Sequence, residues 1–107
     1  MRRALFICSA NRLRSPTAEQ VFASWADVET DSAGIGNGAE QELSSEQIEW
    51  ATIIFVMEHA HRNKLSKKYR PYLNGKRVIV LGIPDEYELM SPELIRLLQT
   101  KAGPYLR

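Results

Sequence analysis

The sequence predicts an α/β fold, with a parallel sheet covered by helices on both faces. Three observations carry this reading. The runs RALFIC (3–8), TIIFVM (52–57) and KRVIVLG (76–82) have the near-continuous hydrophobicity of strands buried on both faces. Helix signals stand between and after them. A weaker strand candidate, VETDSAG (28–34), fills the one long gap, so strands and helices alternate from end to end.

Each element has its own warrant. RALFIC leads at once into helix-start chemistry: Ser15 as cap, Pro16 at the first helical position, Glu19 near the positive end of the dipole. Ala18, Val21, Phe22 and Trp25 then recur at helical spacing and give this helix one apolar face. VETDSAG ends in turn residues, and GIGNGAE is expected to be a flexible loop. Ser44 and Gln47 form an S-x-x-Q capping box that opens a short helix to about Trp50. After TIIFVM, the segment EHAHRNKLSKKYRPYL reads as a helix with a polar side, and Pro71 lies near its end. After KRVIVLG, Ser91-Pro92-Glu93 starts a last helix to about Lys101.

The 107 residues suit a single domain, 1–107, and the chain is long enough to bury a core. A net charge of +1 and a pI near 7.9 create no strong field, which argues against nucleic acid or an anionic membrane as the main partner. One cysteine excludes an intrachain disulfide and a Cys-based zinc site, and a cytoplasmic location fits. The N-terminal apolar run is too short for a signal-peptide core, and no stretch is long enough for a membrane span.

In open parallel sheets, ligands sit beyond the carboxyl ends of the strands. That rim holds the loops after Cys8 and after Ser32, and the loop with Pro84-Asp85-Glu86-Tyr87. The first is the most informative. In ICSANRLRSPT a cysteine ends a strand, an arginine follows six positions later, and Ser-Pro opens a helix. A short strand-to-helix loop of this kind aims successive backbone N–H groups at one point. Ser9, Ala10, Asn11, Arg12, Leu13, Arg14 and Ser15 would together cradle a phosphate, with the planar Arg14 fork gripping two oxygens. A helix N-terminus and a nearby cation favour the thiolate form of a cysteine, which makes Cys8 a candidate nucleophile. Ser15 is placed to donate a hydrogen bond to the sulfur.

CSANRLRSPTAE resembles the phosphate loop of the low-molecular-weight protein tyrosine phosphatase family: Cys, five residues, Arg, Ser, then Pro and Ala-Glu. TDSAG (30–34), IIFVM with an acidic residue after it, and PDEY resemble further family segments in the right order. The resemblance implies a three-layer sandwich with a four-stranded parallel sheet in the order 2-1-3-4. It implies that Cys8 attacks phosphorus, that Arg14 and the loop amides hold the equatorial oxygens, and that Asp85 is general acid and then general base. Asn11 would hold the loop's shape and Ser32 would support Asn11. No cofactor and no metal are implied. The substrate would be a phosphorylated protein or a small phosphomonoester; the oligomeric state is open.

The chain also departs from the family pattern. Ala10 stands where glycine is usual, which predicts strain if that position needs φ > 0. Leu13 replaces a second cysteine, and GIGNGAE brings no aromatic to the substrate slot, leaving Tyr87 as the expected wall. The run from KRVIVLG into PDEY is short, and Glu86 replaces a stiffening proline, so Glu86 or Glu88 competes with Asp85 for the acid role. These departures motivate an alternative: a phosphate or phosphoprotein binding module without turnover. Arsenate reduction would need an external thiol, and a phosphocysteine carrier leaves Arg14 without a role. His59 and His61 point about 200° apart on a helix and are expected to be solvated rather than to share a metal. Trp25 and Trp50 read as core edges. Lys64, Lys67, Lys68 and Arg70 read as a solvated helix face, or else as a dock for an acidic partner.

Overall fold

The computed structural model describes residues 1–107. Strands β1 (Arg2–Cys8), β2 (Val28–Gly34), β3 (Ile53–Val56) and β4 (Arg77–Val80) form one four-stranded sheet in the order β2-β1-β3-β4. Every neighbouring pair is parallel. The order that the resemblance implies is the order observed. Helices α1 (Arg14–Phe22), α2 (Ser45–Trp50), α3 (His59–Tyr69), α4 (Pro92–Lys101) and α5 (Gly103–Leu106) make the crossovers and the C-terminal cover. The predicted third helix changes to a short 3₁₀ turn at Arg70–Tyr72, where Pro71 lacks the N–H a continuing helix needs. α5 was not foreseen; it seals Leu106 into the core.

Strand β1 explains why its sequence is apolar without alternation. Ala4, Phe6 and Cys8 face one core with α1, α4 and α5, while Leu5 and Ile7 face a second with α2 and α3. Phe6 stacks between Phe22 of α1 and Phe55 of β3, with ring centroids 5.6 and 5.1 Å apart. Leu5, Phe6 and Ile7 are fully buried. Each contributes roughly 1.5–3 kcal/mol by burial, so the residues just before Cys8 are the most firmly held of the strand. The chain leaves β1 toward β2 on one side and returns to β3 on the other, so the crevice of this sheet opens at the end of β1.

The Ser44 capping box is present as predicted: Ser44 Oγ accepts from Gln47 N, and the Gln47 side chain accepts from Ser44 N. The cap expected of Ser15 is not made. α1 starts at Arg14, two residues before the expected Pro16, so the cap position falls on Leu13, which has no side-chain acceptor, and the Ser15 hydroxyl is engaged elsewhere. No helix is long and apolar enough to cross a membrane.

Candidate active site

Cys8, Ser9, Ala10, Arg12, Leu13, Arg14 and Asp85 line one pocket of about 190 Å³ at the end of β1. The backbone around it has a definite polarity. The carbonyls of Cys8, Ser9 and Ala10 accept from the N–H groups of Ile35, Gly36 and Glu40 at 2.9 Å each. The loop is thus tied down by its oxygens. Its amides, from Ser9 through Leu13, have no acceptor within the chain. Five successive donors left over in one loop are the inventory an oxyanion requires.

GIGNGAE is therefore no free loop: it clamps the phosphate-loop candidate. A Cβ on Gly34 would lie 2.4 Å from Ala39 Cβ and 2.8 Å from Ser9 O, and one on Gly36 would lie 3.0 Å from Ser9 O. Only glycine lets the two backbones meet here. The strain expected at Ala10 is absent. The loop's left-handed residue is Asn11, at φ 56°, a conformation that asparagine tolerates better than most residues.

Behind the loop runs a buried polar chain. Asn11 Nδ2 donates to Ser15 Oγ at 2.9 Å and to Ser32 Oγ at 3.0 Å. Both hydroxyl oxygens thus act as acceptors, and each must spend its proton elsewhere. Ser32 donates to the Glu19 carboxylate at 2.5 Å. Ser15 lies 2.9 Å from Cys8 Sγ and 3.4 Å from the Ala33 carbonyl, so its better acceptor is the sulfur. The bonds diverge from Asn11: one branch runs through Ser32 to the Glu19 carboxylate, and the other through Ser15 to Cys8 Sγ, where its last donor faces the thiol. Asn11, Ser15 and Ser32 lie together as the resemblance implied.

Arg14 is 2% exposed. Its Nη1 donates to Glu58 Oε2 at 2.5 Å and to the Ile83 carbonyl at 2.8 Å. Both Nη1 hydrogens are used, so the Nε and Nη2 edge of the fork is the part left for a ligand. Arg14 Nε lies 3.7 Å from Asp85 Oδ1. Asp85 is 63% exposed at the mouth of the pocket. Arg12 is exposed as well, with Nε 3.4 Å from a Glu40 carboxylate oxygen.

Tyr87 is not among the residues lining this pocket. It packs half-buried against the core that includes Phe6 and Leu94, and lines a separate depression formed by Glu86 to Glu93. Expected as a substrate wall, it does not line the Cys8 pocket and instead packs against the core beside it. His61 is a second correction. It is 3% exposed, not solvated. Its Nδ1 accepts from Glu58 N at 3.1 Å, so Nε2 carries the proton and donates to Ser9 Oγ at 2.8 Å. Burial first, and then the Arg14 charge, hold the His61 pKa below the usual histidine range. The hydrogen bond from Arg14 likewise holds the Glu58 carboxyl below the usual carboxylate range. His59 is exposed, as expected. No group of three or more His, Cys, Asp or Glu side chains is arranged to hold a metal ion.

Glu58 and His61 were missed in the sequence, though a signal was there. Met57-Glu58 ends the β3 run and so sits on the same rim as Cys8, and His61 follows at capping-box spacing.

Comparison with known proteins bears on this arrangement. Residues 3–52 match the model of the low molecular weight phosphotyrosine protein phosphatase family. No curated protein matches the chain by sequence. Among solved structures, the YwlE arginine phosphatase from Geobacillus stearothermophilus superposes with a TM-score of 0.74 at 21% identity, covering 99% of this chain and 94% of that one. The tyrosine phosphatase Wzb from Escherichia coli K30, in complex with phosphate, gives 0.75 at 20% identity, over 98% and 96%. SP-PTP, a low molecular weight protein tyrosine phosphatase from Streptococcus pyogenes, gives 0.79 at 15% identity, over 99% and 91%. Residues 3–52 thus carry the sequence pattern of the low molecular weight phosphotyrosine protein phosphatases, and the chain as a whole has the fold of a solved member.

Proposed function

We propose that the protein is a cysteine-dependent phosphomonoester hydrolase acting through a phosphocysteine intermediate, with phosphotyrosine in a protein, or a small aryl phosphate, as substrate. One observation carries the proposal: a buried relay from Asn11 through Ser15 brings a hydroxyl donor to Cys8 Sγ in the pocket that Arg14 and Asp85 share. The first step forms an S–P bond and breaks the P–O ester bond. Asp85, as the carboxylic acid, gives its proton to the leaving oxygen. Water then attacks phosphorus, the Asp85 carboxylate takes its proton, and the S–P bond breaks to release phosphate and the thiolate. The Ser15 hydroxyl stabilises that thiolate at both ends of the cycle. The free amides of Ser9 to Leu13 and the Nε–Nη2 edge of Arg14 stabilise the equatorial oxygens without reorganising. A nucleophile that works as a thiolate suits a reducing compartment, which supports a cytoplasmic site of action.

The test is rapid-quench mass spectrometry with an aryl phosphate, alongside steady-state assays on phosphotyrosine and phosphoarginine peptides. The expected result is a transient phosphoryl adduct on Cys8 and no turnover in Cys8→Ser. Turnover in Cys8→Ser equal to wild type would refute the proposal. Phosphate binding without turnover of any substrate would establish the binding-module alternative instead.

A further inference from the structure

A net charge of +1 conceals a sharp division across the active-site rim. On the side of α4, the segment Asp85–Glu93 holds Asp85, Glu86, Glu88 and Glu93 and no basic residue. On the opposite face of the sheet, α3 holds Arg62, Lys64, Lys67 and Lys68 and no acidic residue. Lys64, Lys67 and Lys68 stand at i, i+3 and i+4, so they share one helix face. Together with Ile35, Gly36 and Asn37 they line a pocket of about 280 Å³. No carboxylate lies within ion-pair distance of these three ammonium groups. Glu42 lines a small cavity next to Lys68, but its carboxylate is engaged by the Gly38 N–H at 3.0 Å.

This basic pocket is joined to the phosphate loop at two points. Gly36 N donates to Ser9 O at 2.9 Å, and His61, one helical turn before Lys64, donates to Ser9 Oγ at 2.8 Å. We infer that the pocket receives acidic side chains of the phosphoprotein substrate, on one side of the phosphorylated residue only. The inference rests on the hydrolase reading and adds a substrate preference to it. At 1.5 Å per residue, Lys67 and Lys68 lie about 9–10 Å along the helix beyond His61. An extended peptide covers that span in about three residues. The preferred acidic residues therefore stand about three to five positions from the phosphorylated one. A uniformly anionic chain such as a nucleic acid fits less well, because crossing the site would bring it against Asp85, Glu86 and Glu88. Exposed lysines of this kind contribute through steering and through several weak pairs, not through one strong pair.

The experiment compares wild type with the triple variant Lys64→Gln, Lys67→Gln, Lys68→Gln on three substrates. These are a small aryl phosphate, a phosphotyrosine peptide with uncharged flanks, and peptides with three glutamates on either the N- or the C-terminal side. Wild type should favour one of the acidic peptides about tenfold in kcat/KM, and the preference should fall with added salt. The triple variant should lose that preference and leave the small substrate unchanged. Equal handling of the acidic peptide by both proteins would overturn the inference while leaving hydrolysis intact. Should wild type fail even on the small substrate, the hydrolase reading falls by itself. The surface is then judged by fluorescence anisotropy with Cys8→Ser and the labelled acidic phosphopeptide, where lysine-independent binding overturns it. A single-stranded oligonucleotide that binds through the same lysines more tightly than the peptide would also overturn it.

Discussion

The two loops that meet over Cys8 are built on opposite principles. In the loop from Cys8 to Ser15, Cys8, Asn11, Arg14 and Ser15 are at most 8% exposed, and every buried side-chain polar atom has a partner. In the acid loop, Asp85, Glu86, Glu88, Leu89 and Met90 are all exposed. That loop hangs on a few bonds: Ile83 N to Met57 O at its entry, and Met90 N to Thr17 Oγ1 at its exit. The difference follows from the tasks proposed for each. Charge stabilisation needs donors fixed before the reaction, whereas a group that exchanges a proton with water must reach water.

Substitutions on either side test the contrast. Arg14→Lys carries the largest expected effect. A lysine ammonium cannot satisfy Glu58 and Ile83 while also presenting a fork, so kcat should fall about 10²- to 10³-fold. Steady-state kinetics decides, and a loss under tenfold would show that the amides alone carry the charge. Asp85→Asn should cost about 10²-fold on phenyl phosphate and clearly less on nitrophenyl phosphate, whose leaving group needs no proton. Inhibition by inorganic phosphate should persist. A larger loss in Glu86→Gln or Glu88→Gln would move the acid to that residue.

Ser32→Ala leaves a buried Asn11 N–H and the Glu19 carboxylate without their partner. Stability in urea should drop by about 1–3 kcal/mol. The exposed acid loop offers a control: Glu88→Gln should shift the urea midpoint little, since Glu88 is exposed and in no ion pair. The smallest effect concerns His61. Its folded pKa lies below the ordinary 6.5, so the unfolded chain takes up this proton first as pH falls. Stability should therefore decline below about pH 6.5 until the folded histidine is protonated too, with a slope under about 1.4 kcal/mol per pH unit. Urea midpoints from pH 7.5 to 5 should show His61→Gln with a flatter profile. An unchanged profile would mean that His61 takes up its proton alike in the folded and unfolded chains.

The sheet was legible because each strand declares itself within a few residues. RALFIC, IIFV and the capping box at Ser44 need no distant partner to be recognised. The Cys8 loop was legible for the same reason, since nucleophile, guanidinium and helix start lie within eight positions. Elsewhere, local signals misled. Ser15 has the chemistry of a cap but spends its hydroxyl on the sulfur. GIGNGAE has the composition of a free loop but is held by Cys8, Ser9 and Ala10. His61 lies in a polar helix but is covered by the loop it supports.

The alternation of strands and helices, the tight strand-to-helix loop, and a cysteine with an arginine six positions on can all be read from the residues alone. Those follow from patterns that repeat or close within a single turn. Folding in three dimensions settles that Glu58 and Ile83 hold Arg14, that Glu19 accepts from Ser32 behind Asn11, and that opposite charges gather on the two faces of the rim. These contacts join residues 13 to 69 positions apart, and their geometry exists only once β1 and β3 lie side by side.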